Sequence, residues 1–119
     1  MANPYRLYCA DCLEQMQQIP ENIFDMIFAD PPYMLSNGGI TCQNGKVVSV
    51  NKGRWDESQG FEKDFEFHKK WLSACRRVLK QNGTLWLSGT YHSIYSCGFA
   101  MQILGFHILN DVCWFKPNA

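Results

Sequence analysis

Residues 23–33 read Ile-Phe-Asp-Met-Ile-Phe-Ala-Asp-Pro-Pro-Tyr, and this stretch decides the fold. Its first seven residues are almost continuously apolar and too few for a core helix, which predicts a parallel strand buried on both faces. The Asp30-Pro-Pro-Tyr33 segment follows directly. Because ligands of open α/β sheets bind beyond the carboxyl ends of the strands, we expect a ligand site at Asp30.

Helical and extended patterns alternate on both sides of this strand. Before it we expect a short strand over residues 6–10, and then a helix that Asp11 caps and Pro20 ends. After it, apolar residues at helical spacing predict a helix from Phe61 to Leu79 that ends at Asn82-Gly83. The last expected elements are a strand over 84–88, a helix over 94–104 stopped by Gly105, and an extended run over 106–115. This alternation predicts an open α/β sheet.

The segment between the first strand and the long helix shows no sustained periodicity. It contains turn signals at residues 36–39, 44–45 and 52–53, with a short candidate strand over 47–50. Long loops inside compact domains are unusual and often functional. We therefore expect residues 30–58 to form a mobile loop that faces the substrate.

Composition narrows the class of protein. The 119 residues are 46% hydrophobic, which indicates one small globular domain. Eleven basic and eleven acidic side chains give a net charge of +0, which counts against DNA binding by this chain alone, since phosphate neutralisation supplies most of that affinity. We find neither a signal-peptide pattern nor an apolar run of about 20 residues, which predicts a cytoplasmic protein without membrane contact.

The six cysteines suggest no metal site. Cys9 and Cys12 have the spacing of half a zinc ribbon or of a redox pair, but no second close Cys or His pair follows. Cys75, Cys97 and Cys113 have apolar neighbours and are expected in the core.

The residue types of the Asp30–Tyr33 segment suit the activation of an aromatic amine. The amino nitrogen of adenine or cytosine shares its lone pair with the ring and is a poor nucleophile. Acceptors from Asp30 and the Pro31 carbonyl would localise that lone pair, and Pro31 and Pro32 would hold the acceptors in place because proline fixes φ. Tyr33 offers a ring on which an extruded base can stack. An ordinary Asp-Pro turn that closes a strand remains the alternative.

Further stretches extend the pattern along nearly the whole chain. They are Leu7-Tyr-Cys-Ala-Asp-Cys-Leu13, Asp25–Tyr33, Leu35-Ser-Asn-Gly-Gly39, Lys52-Gly-Arg-Trp-Asp56, Trp71, Val78–Thr84 and Leu109–Lys116. With these residues the chain resembles the N-terminal part of the β-group of DNA amino-methyltransferases of restriction–modification systems. It is especially similar to the Dpn-type adenine-N6 methylases that modify GATC.

The resemblance implies a fold and roles for individual residues. It implies a Rossmann-like, S-adenosylmethionine-dependent methyltransferase fold in which residues 1–119 are the N-terminal catalytic part. The implied catalytic residues are Asp30, Pro31, Pro32 and Tyr33, and the implied cofactor-binding residues are Asp11, Cys12 and Asp30. Contacts to the base or to DNA are expected from Tyr33, Asn37, Trp55, Trp114 and Lys116. Asp11 could equally be only a helix cap, and the two tryptophans could be core residues.

The sequence also departs from the family pattern. It contains neither the target-recognition region nor the Phe-x-Gly-x-Gly loop that holds the methionine part of the cofactor in the family. The permuted sheet would then lack the strands that carry this loop, leaving an exposed apolar edge. We expect the chain alone to be inactive, and to be marginally stable, to form a homo-oligomer or to need a complementing C-terminal fragment.

Several other functions stay open from the sequence. Methylation of cytosine N4 uses the same acceptors, and methylation of a protein glutamine amide uses a related motif. Methylation of cytosine C5 is disfavoured because no Pro-Cys pair is present. An inactive methylase remnant that only binds a partner, and a redox or metal protein built on Cys9 and Cys12, are the alternatives from other classes.

Overall fold

Two parallel strands backed by helices form the frame of the protein in the computed structural model, which describes residues 3–117. The elements in chain order are α1 (Cys12–Gln17), β1 (Phe24–Ala29), β2 (Ile40–Gln43), β3 (Lys46–Ser49), a 3-10 turn (Arg54–Asp56), α2 (Phe61–Val78), β4 (Leu79–Leu87) and α3 (Ile94–Ile103). The expected mixture of helices with a parallel strand pair is confirmed.

β1 and β4 pair in parallel, with one register shift between Phe24 and Met26, and end at the same edge. Met26 pairs with Thr84 and Ala29 pairs with Leu87, and the backbone N–H of Ser88 continues the ladder to the Ala29 carbonyl at 3.0 Å. The two strands therefore end side by side, and the residues that follow them, Asp30 and Ser88, become neighbours. This register positions the candidate site.

Only one face of this strand pair is covered. Side chains alternate between the two faces of a strand, and the inner face packs against the core between α2 and α3 with Ile27, Ala29, Leu85 and Leu87. The outer face is open, with Phe24, Met26, Phe28 and Trp86 between 38% and 65% exposed. The prediction that β1 is buried on both faces was wrong, because no described element lies over the outer face.

Helix α1 begins at the predicted cap and ends at Gln17, three residues before the predicted stop at Pro20. Oδ1 of Asp11 accepts hydrogen bonds from the backbone N–H groups of Leu13 and Glu14 at 2.9 and 3.2 Å, as an N-cap should. At the other end, the Arg77 guanidinium donates to the carbonyls of Met16 and Ile19. Both sets of unpaired backbone groups at the helix ends are thus partly satisfied.

Helix α2 ends earlier than its sequence predicts. It buries His68, Trp71, Leu72, Cys75 and Val78 along one face, as expected from the apolar spacing. We expected Asn82-Gly83 to end it, but the helix ends at Val78 and the chain continues directly as β4. Leu79 pairs with Phe24 of β1 and its side chain is buried, and both contacts favour the strand over a continued helix at this point.

A β-hairpin occupies part of the segment expected to be a loop. β2 and β3 pair antiparallel through Gln43 and Lys46, and the two turn residues Asn44 and Gly45 have φ values of 51° and 75°. Positive φ at both positions is typical of the type I′ turn that Asn-Gly favours. The strand near residues 47–50 is confirmed with a shift of one residue, whereas its partner β2 was missed.

Two predicted extended segments form no strand. Residues 6–10 and 106–115 carry no assigned strand, and Leu7 and Trp114 are 88% and 85% exposed. Their apolar patterns find no neighbouring strand among the described residues. Cys113 is likewise exposed, contrary to expectation, whereas Cys75 and Cys97 are buried as predicted, and burial raises the pKa of their thiols to about 11 and about 12.

Candidate active site

A triangle of three polar side chains lies at the carboxyl ends of β1 and β4. The Tyr33 hydroxyl and the Ser88 hydroxyl each lie 2.6 Å from Oδ1 of Asp30, and the two hydroxyl groups lie 3.1 Å apart. Asp30 follows β1, Ser88 follows β4, and Tyr33 reaches back from the next turn. The strand register therefore brings together residues 55 and 58 positions apart in sequence.

These hydrogen bonds set the ionisation of the site. The bond from Ser88, and then the bond from Tyr33, hold the pKa of the Asp30 carboxyl below its ordinary value of 3.8. Burial of the phenol, and then its bond to Asp30, raise the pKa of Tyr33 above 10.0. At neutral pH the site therefore contains a carboxylate and a protonated tyrosine. A carboxylate with a lowered pKa stays ionised, so it can accept hydrogen bonds, and it is a weak base.

The hydrogen bonds to Asp30 use only one of its two oxygens. Among the described residues, none donates to Oδ2 of Asp30 or to the Pro31 carbonyl. The Asp30 side chain is exposed, and Pro31 and Pro32 are half-buried behind it. The site therefore presents an ionised carboxylate with one open oxygen at the edge of the sheet.

The turn after the two prolines wraps around a second carboxylate. Asp56 is completely buried, and its Oδ1 accepts the backbone N–H groups of Tyr33 and Met34 at 2.9 and 3.1 Å. Its Oδ2 accepts the Leu35 N–H at 3.3 Å and the Ser36 hydroxyl at 2.8 Å. Successive backbone N–H groups that converge on one anion form a nest.

Lys52 brings a positive charge to the same place. Its backbone N–H donates to the Ser36 hydroxyl oxygen at 2.8 Å, and its Nζ lies 5.2 Å from the centre of the Tyr33 ring. That distance is typical of a cation–π contact. The lysine charge also contributes to the lowered pKa of Asp30, after the two hydroxyl groups.

Asn37 holds the loop to the start of α2. Its side-chain amide donates to the Ser58 carbonyl at 2.9 Å and accepts the Ser58 N–H at 2.8 Å. The Ser58 hydroxyl and the Gln59 N–H in turn donate to Asp64 in the first turn of α2. The structure thus gives Asn37 a role in fixing the loop, and its contact with DNA stays a prediction.

The remaining predicted site residues lie apart from this triangle. Asp11 caps α1, and its neighbour Cys12 is exposed. Trp55 is 62% exposed and Trp114 is 85% exposed, so neither is a core residue. Nζ of Lys116 lies 5.7 Å from the Trp114 ring centre. Within residues 3–117, no hydrogen bond, ion pair or aromatic contact joins these residues to Asp30 or Tyr33.

Residues 3–117 contain neither a metal-binding cluster nor a candidate membrane span. No group of three or more His, Cys, Asp or Glu side chains is arranged to hold a metal ion. No helix in the described part of the chain combines the length and apolar character of a membrane span.

A known protein family matches most of the chain, including the candidate site. The model of the DNA methylase family, which covers N6 and N4 methyltransferases, matches residues 24–119 and so includes β1, the triangle and the Asp56 nest. The chain belongs to this DNA methylase family. The match begins at the first residue of β1, the strand that carries Asp30.

Three relatives of this DNA methylase chain are type II methyltransferases. The chain is 48% identical over 116 residues to M2.DpnII of Streptococcus pneumoniae, covering 98% of this chain and 43% of the relative. It is 49% identical over 109 residues to M2.LlaDCHI of Lactococcus lactis subsp. cremoris (92% and 40%), and 43% identical over 114 residues to M2.MboI of Moraxella bovis (96% and 42%). The chain spans about two-fifths of the length of these relatives.

Three residues at the candidate site were missed from the sequence. Ser88 closes the expected strand over 84–88, and its position at the end of a strand was a usable signal once β4 was paired with β1. Lys52 was expected only in a turn, and Asp56 only as part of the stretch 52–56 that resembles the family. Their functions depend on loop geometry, which no local spacing rule encodes.

Proposed function

We propose that the whole protein methylates adenine N6 in DNA with S-adenosylmethionine, as part of a restriction–modification system. In this proposal residues 1–119 form the N-terminal catalytic part of a Rossmann-like methyltransferase domain. The similarity to three type II methyltransferases and the match to the DNA methylase family support this proposal. A GATC recognition site follows only from resemblance to the Dpn-type methylases.

One observation carries the proposal. Asp30 presents an ionised carboxylate whose Oδ1 is fixed by two hydroxyl groups while its Oδ2 is open, beside the open carbonyl of Pro31. Two acceptors on adjacent residues match the two N–H groups of an exocyclic amine. A simple Asp-Pro turn would not need two hydroxyl donors and a buried nest to fix its geometry.

In this proposal the residues of the chain accept hydrogen bonds from the amine, orient it, and stack against the base. Oδ2 of Asp30 and the Pro31 carbonyl accept the two amine hydrogens, so the nitrogen lone pair leaves conjugation with the ring and becomes available. The Tyr33 ring, held at its hydroxyl, supports the face of the base. Because the lowered pKa makes Asp30 a weak base, it acts as an acceptor, and the proton released after transfer passes to solvent.

The acidic residues of the chain fit S-adenosylmethionine. When bound, S-adenosylmethionine would supply the methyl group as an electrophilic methyl sulfonium. Asp11 uses Oδ1 for the α1 cap, and no described residue donates to its Oδ2, which leaves an acceptor for an amino or hydroxyl group. Asp11, Cys12 and Asp30 would hold the cofactor from this chain, and a segment with the glycine loop would hold its methionine part.

Contacts with DNA are proposed from the exposed residues beyond the triangle. Trp55 and Trp114 offer apolar surface to the flipped base or to its neighbours, and Lys52 and Lys116 offer positive charge to phosphates. Asn37 contributes through the loop that it fixes. The neutral net charge of the chain indicates that most phosphate contacts come from another segment.

The proposal is tested by complementation. The chain is mixed with the part of the M2.DpnII polypeptide that it does not match, and methyl transfer to GATC-containing DNA is followed with labelled cofactor. We expect activity only in the mixture, and we expect D30N to lower the rate about 100-fold. D25N is the matched control. Asp25 is also an exposed carboxylate, but it lies near the start of β1, away from Asp30, and pairs with Lys80.

Analysis of the methylated nucleosides separates the alternatives. N6-methyladenine supports the proposal, whereas N4-methylcytosine would replace it with the cytosine alternative. Complex formation without any methylated product would favour a remnant that only binds a partner. The open outer face of β1 and β4 is the observation on which this last candidate rests.

A further inference from the structure

Asp56 combines complete burial with the absence of a cationic partner. Its side chain is 0% exposed, and Lys80–Asp25 is the one salt bridge among residues 3–117. A buried carboxylate is costly unless hydrogen bonds replace its hydration. Here three backbone N–H groups and one hydroxyl group do so, and all four come from the consecutive residues 33–36. The loop therefore has its geometry fixed by one side chain.

The same loop contains a backbone conformation that needs support. Met34 has φ of 58°, which lies in the left-handed region that a long side chain rarely adopts. Such residues persist only where the surroundings over-determine them. The N–H groups on both sides of Met34, together with its own, all point at Asp56. The nest stabilises the turn that follows Pro32.

This turn determines where the Tyr33 hydroxyl lies. The Tyr33 backbone is fixed by Asp56 at one end, and its hydroxyl meets Asp30 and Ser88 at the other. Ser36, which also donates to Asp56, accepts the Lys52 N–H and so ties Lys52 to the same anion. One carboxylate thus positions both the ring and the cation that lies over it.

We propose that Asp56 is a positioning residue of the methyl-transfer site, which acts by holding residues 33–36 so that the Tyr33 hydroxyl stays bonded to Asp30. The inference rests on the proposed function, because the position of Tyr33 matters for catalysis only if Asp30 and Tyr33 hold the base. Asp56 itself is buried and touches neither base nor cofactor.

The test follows the ionisation of Asp30 by carbon NMR of the aspartate carboxyl groups, with D30N for assignment. Y33F removes the hydroxyl donor, so the pKa of Asp30 should rise. D56N keeps the side-chain volume but replaces one acceptor oxygen with an amide, so the pKa of Asp30 should rise as it does in Y33F. The double variant D56N/Y33F should show a rise smaller than the sum of the two single variants, because both lose the same hydrogen bond and only the contribution of Lys52 is separate.

D64N is the matched control. Asp64 also accepts a backbone N–H and a serine hydroxyl in this region, but from Gln59 and Ser58. D64N should leave the pKa of Asp30 unchanged, so D64N/Y33F should show the same pKa of Asp30 as Y33F alone. A merely structural role for Asp56 predicts that the effects of D56N and Y33F on this pKa simply add, and that result would overturn the proposal.

A milder variant keeps the test decisive if D56N fails to fold. S36A removes one of the four hydrogen bonds to Asp56 and should raise the pKa of Asp30 by a smaller amount; no change would count against the proposal. In the complemented enzyme, D56N should lower kcat more than it changes KM for DNA. Because the titrations use no DNA or cofactor, they remain informative even if no methylation is found.

Discussion

The two carboxylate oxygens of Asp30 have different surroundings. Oδ1 receives two short hydrogen bonds from hydroxyl groups, whereas Oδ2 receives none from the described residues. This asymmetry fixes the plane of the carboxylate and leaves one acceptor for a ligand. Preorganised acceptors of this kind do not have to reorient when charge develops in the transition state.

Ser88 makes the largest contribution to the lowered pKa of Asp30, so its removal gives a direct prediction. S88A should raise the pKa of the Asp30 carboxyl toward 3.8, and by more than Y33F does. Carbon NMR titration of the carboxyl groups measures this. S73A, an exposed serine on α2, serves as control. An unchanged Asp30 pKa in S88A would show that the Ser88 bond is not formed in solution.

The hydrogen bonds to Asp30 also predict how the stability of the fold changes in acid. Because the folded pKa of Asp30 is lowered, its stabilising contribution is fully present above 3.8 and is lost as the pH falls through the folded value. S88A should reduce that contribution, so its unfolding midpoint should depend less steeply on pH in this acid range than that of the wild type. The contribution is screened by solvent because Asp30 is exposed.

At the scale of elements, α2 supplies the core residues that support β1 and β4. His68 is completely buried on its inner face, and the Trp71 indole N–H donates to His68 Nδ1 at 3.1 Å. Nε2 then carries the hydrogen, and it has no partner among residues 3–117. The neutral imidazole acts here as a packed core residue, as its place on the apolar face predicted.

Acid should therefore weaken the helix packing before it affects Asp30. Burial lowers the pKa of His68 below 6.5, so the stabilising contribution of the neutral ring is fully present above pH 6.5 and is lost as the pH falls through the folded value. Urea unfolding at pH 7.5 and at pH 5 should show lower stability at pH 5. H68F should flatten this difference, and H92Q, at an exposed histidine, should not.

Two glycines test the packing of the loop and of α3. A Cβ on Gly39 would lie 2.6 Å from the Leu35 carbonyl oxygen and 2.7 Å from its Cβ, where the loop meets the hairpin. G39A should therefore destabilise the fold by about 1–3 kcal/mol. G98A lies inside α3 with nothing within 4 Å, and it should stabilise by about 0.5–1 kcal/mol. Thermal unfolding of both variants measures the contrast; equal effects would contradict the loop geometry.

At the scale of the whole molecule, the main feature is the open apolar face of the pair of strands β1 and β4. Phe24, Met26, Phe28 and Trp86 present a contiguous apolar row, and each strand of the pair has an unpaired edge within residues 3–117. Exposed apolar strands are templates for association. We therefore expect the isolated chain to self-associate through this face.

A charge on this face should reverse the association. M26K should lower the weight-average mass of the isolated chain in sedimentation velocity, with the effect growing at higher protein concentration. V47K places the same charge on the exposed β3, away from the face, and should have a smaller effect. A monomeric wild-type chain at all concentrations would contradict the prediction.

The sequence alone was sufficient for those features that depend on local spacing. The apolar run before Asp30 and the Asp11 cap fixed β1 and α1, and the helical spacing through His68 fixed α2. The Asp30-Pro-Pro-Tyr33 segment pointed to amine activation through the number and rigidity of its acceptors. These conclusions needed only residues that lie within a few positions of one another.

Tertiary structure decided what depends on distant residues. Ser88 meets Asp30 because β1 and β4 pair in parallel, and Asp56 meets residues 33–36 because the intervening hairpin folds back. The early end of α2 and the open outer face of β1 have the same origin, since each depends on which segments are present to pair or to cover. Local spacing encodes the identity of the candidate site residues, but hydrogen bonding and burial between distant segments determine their geometry.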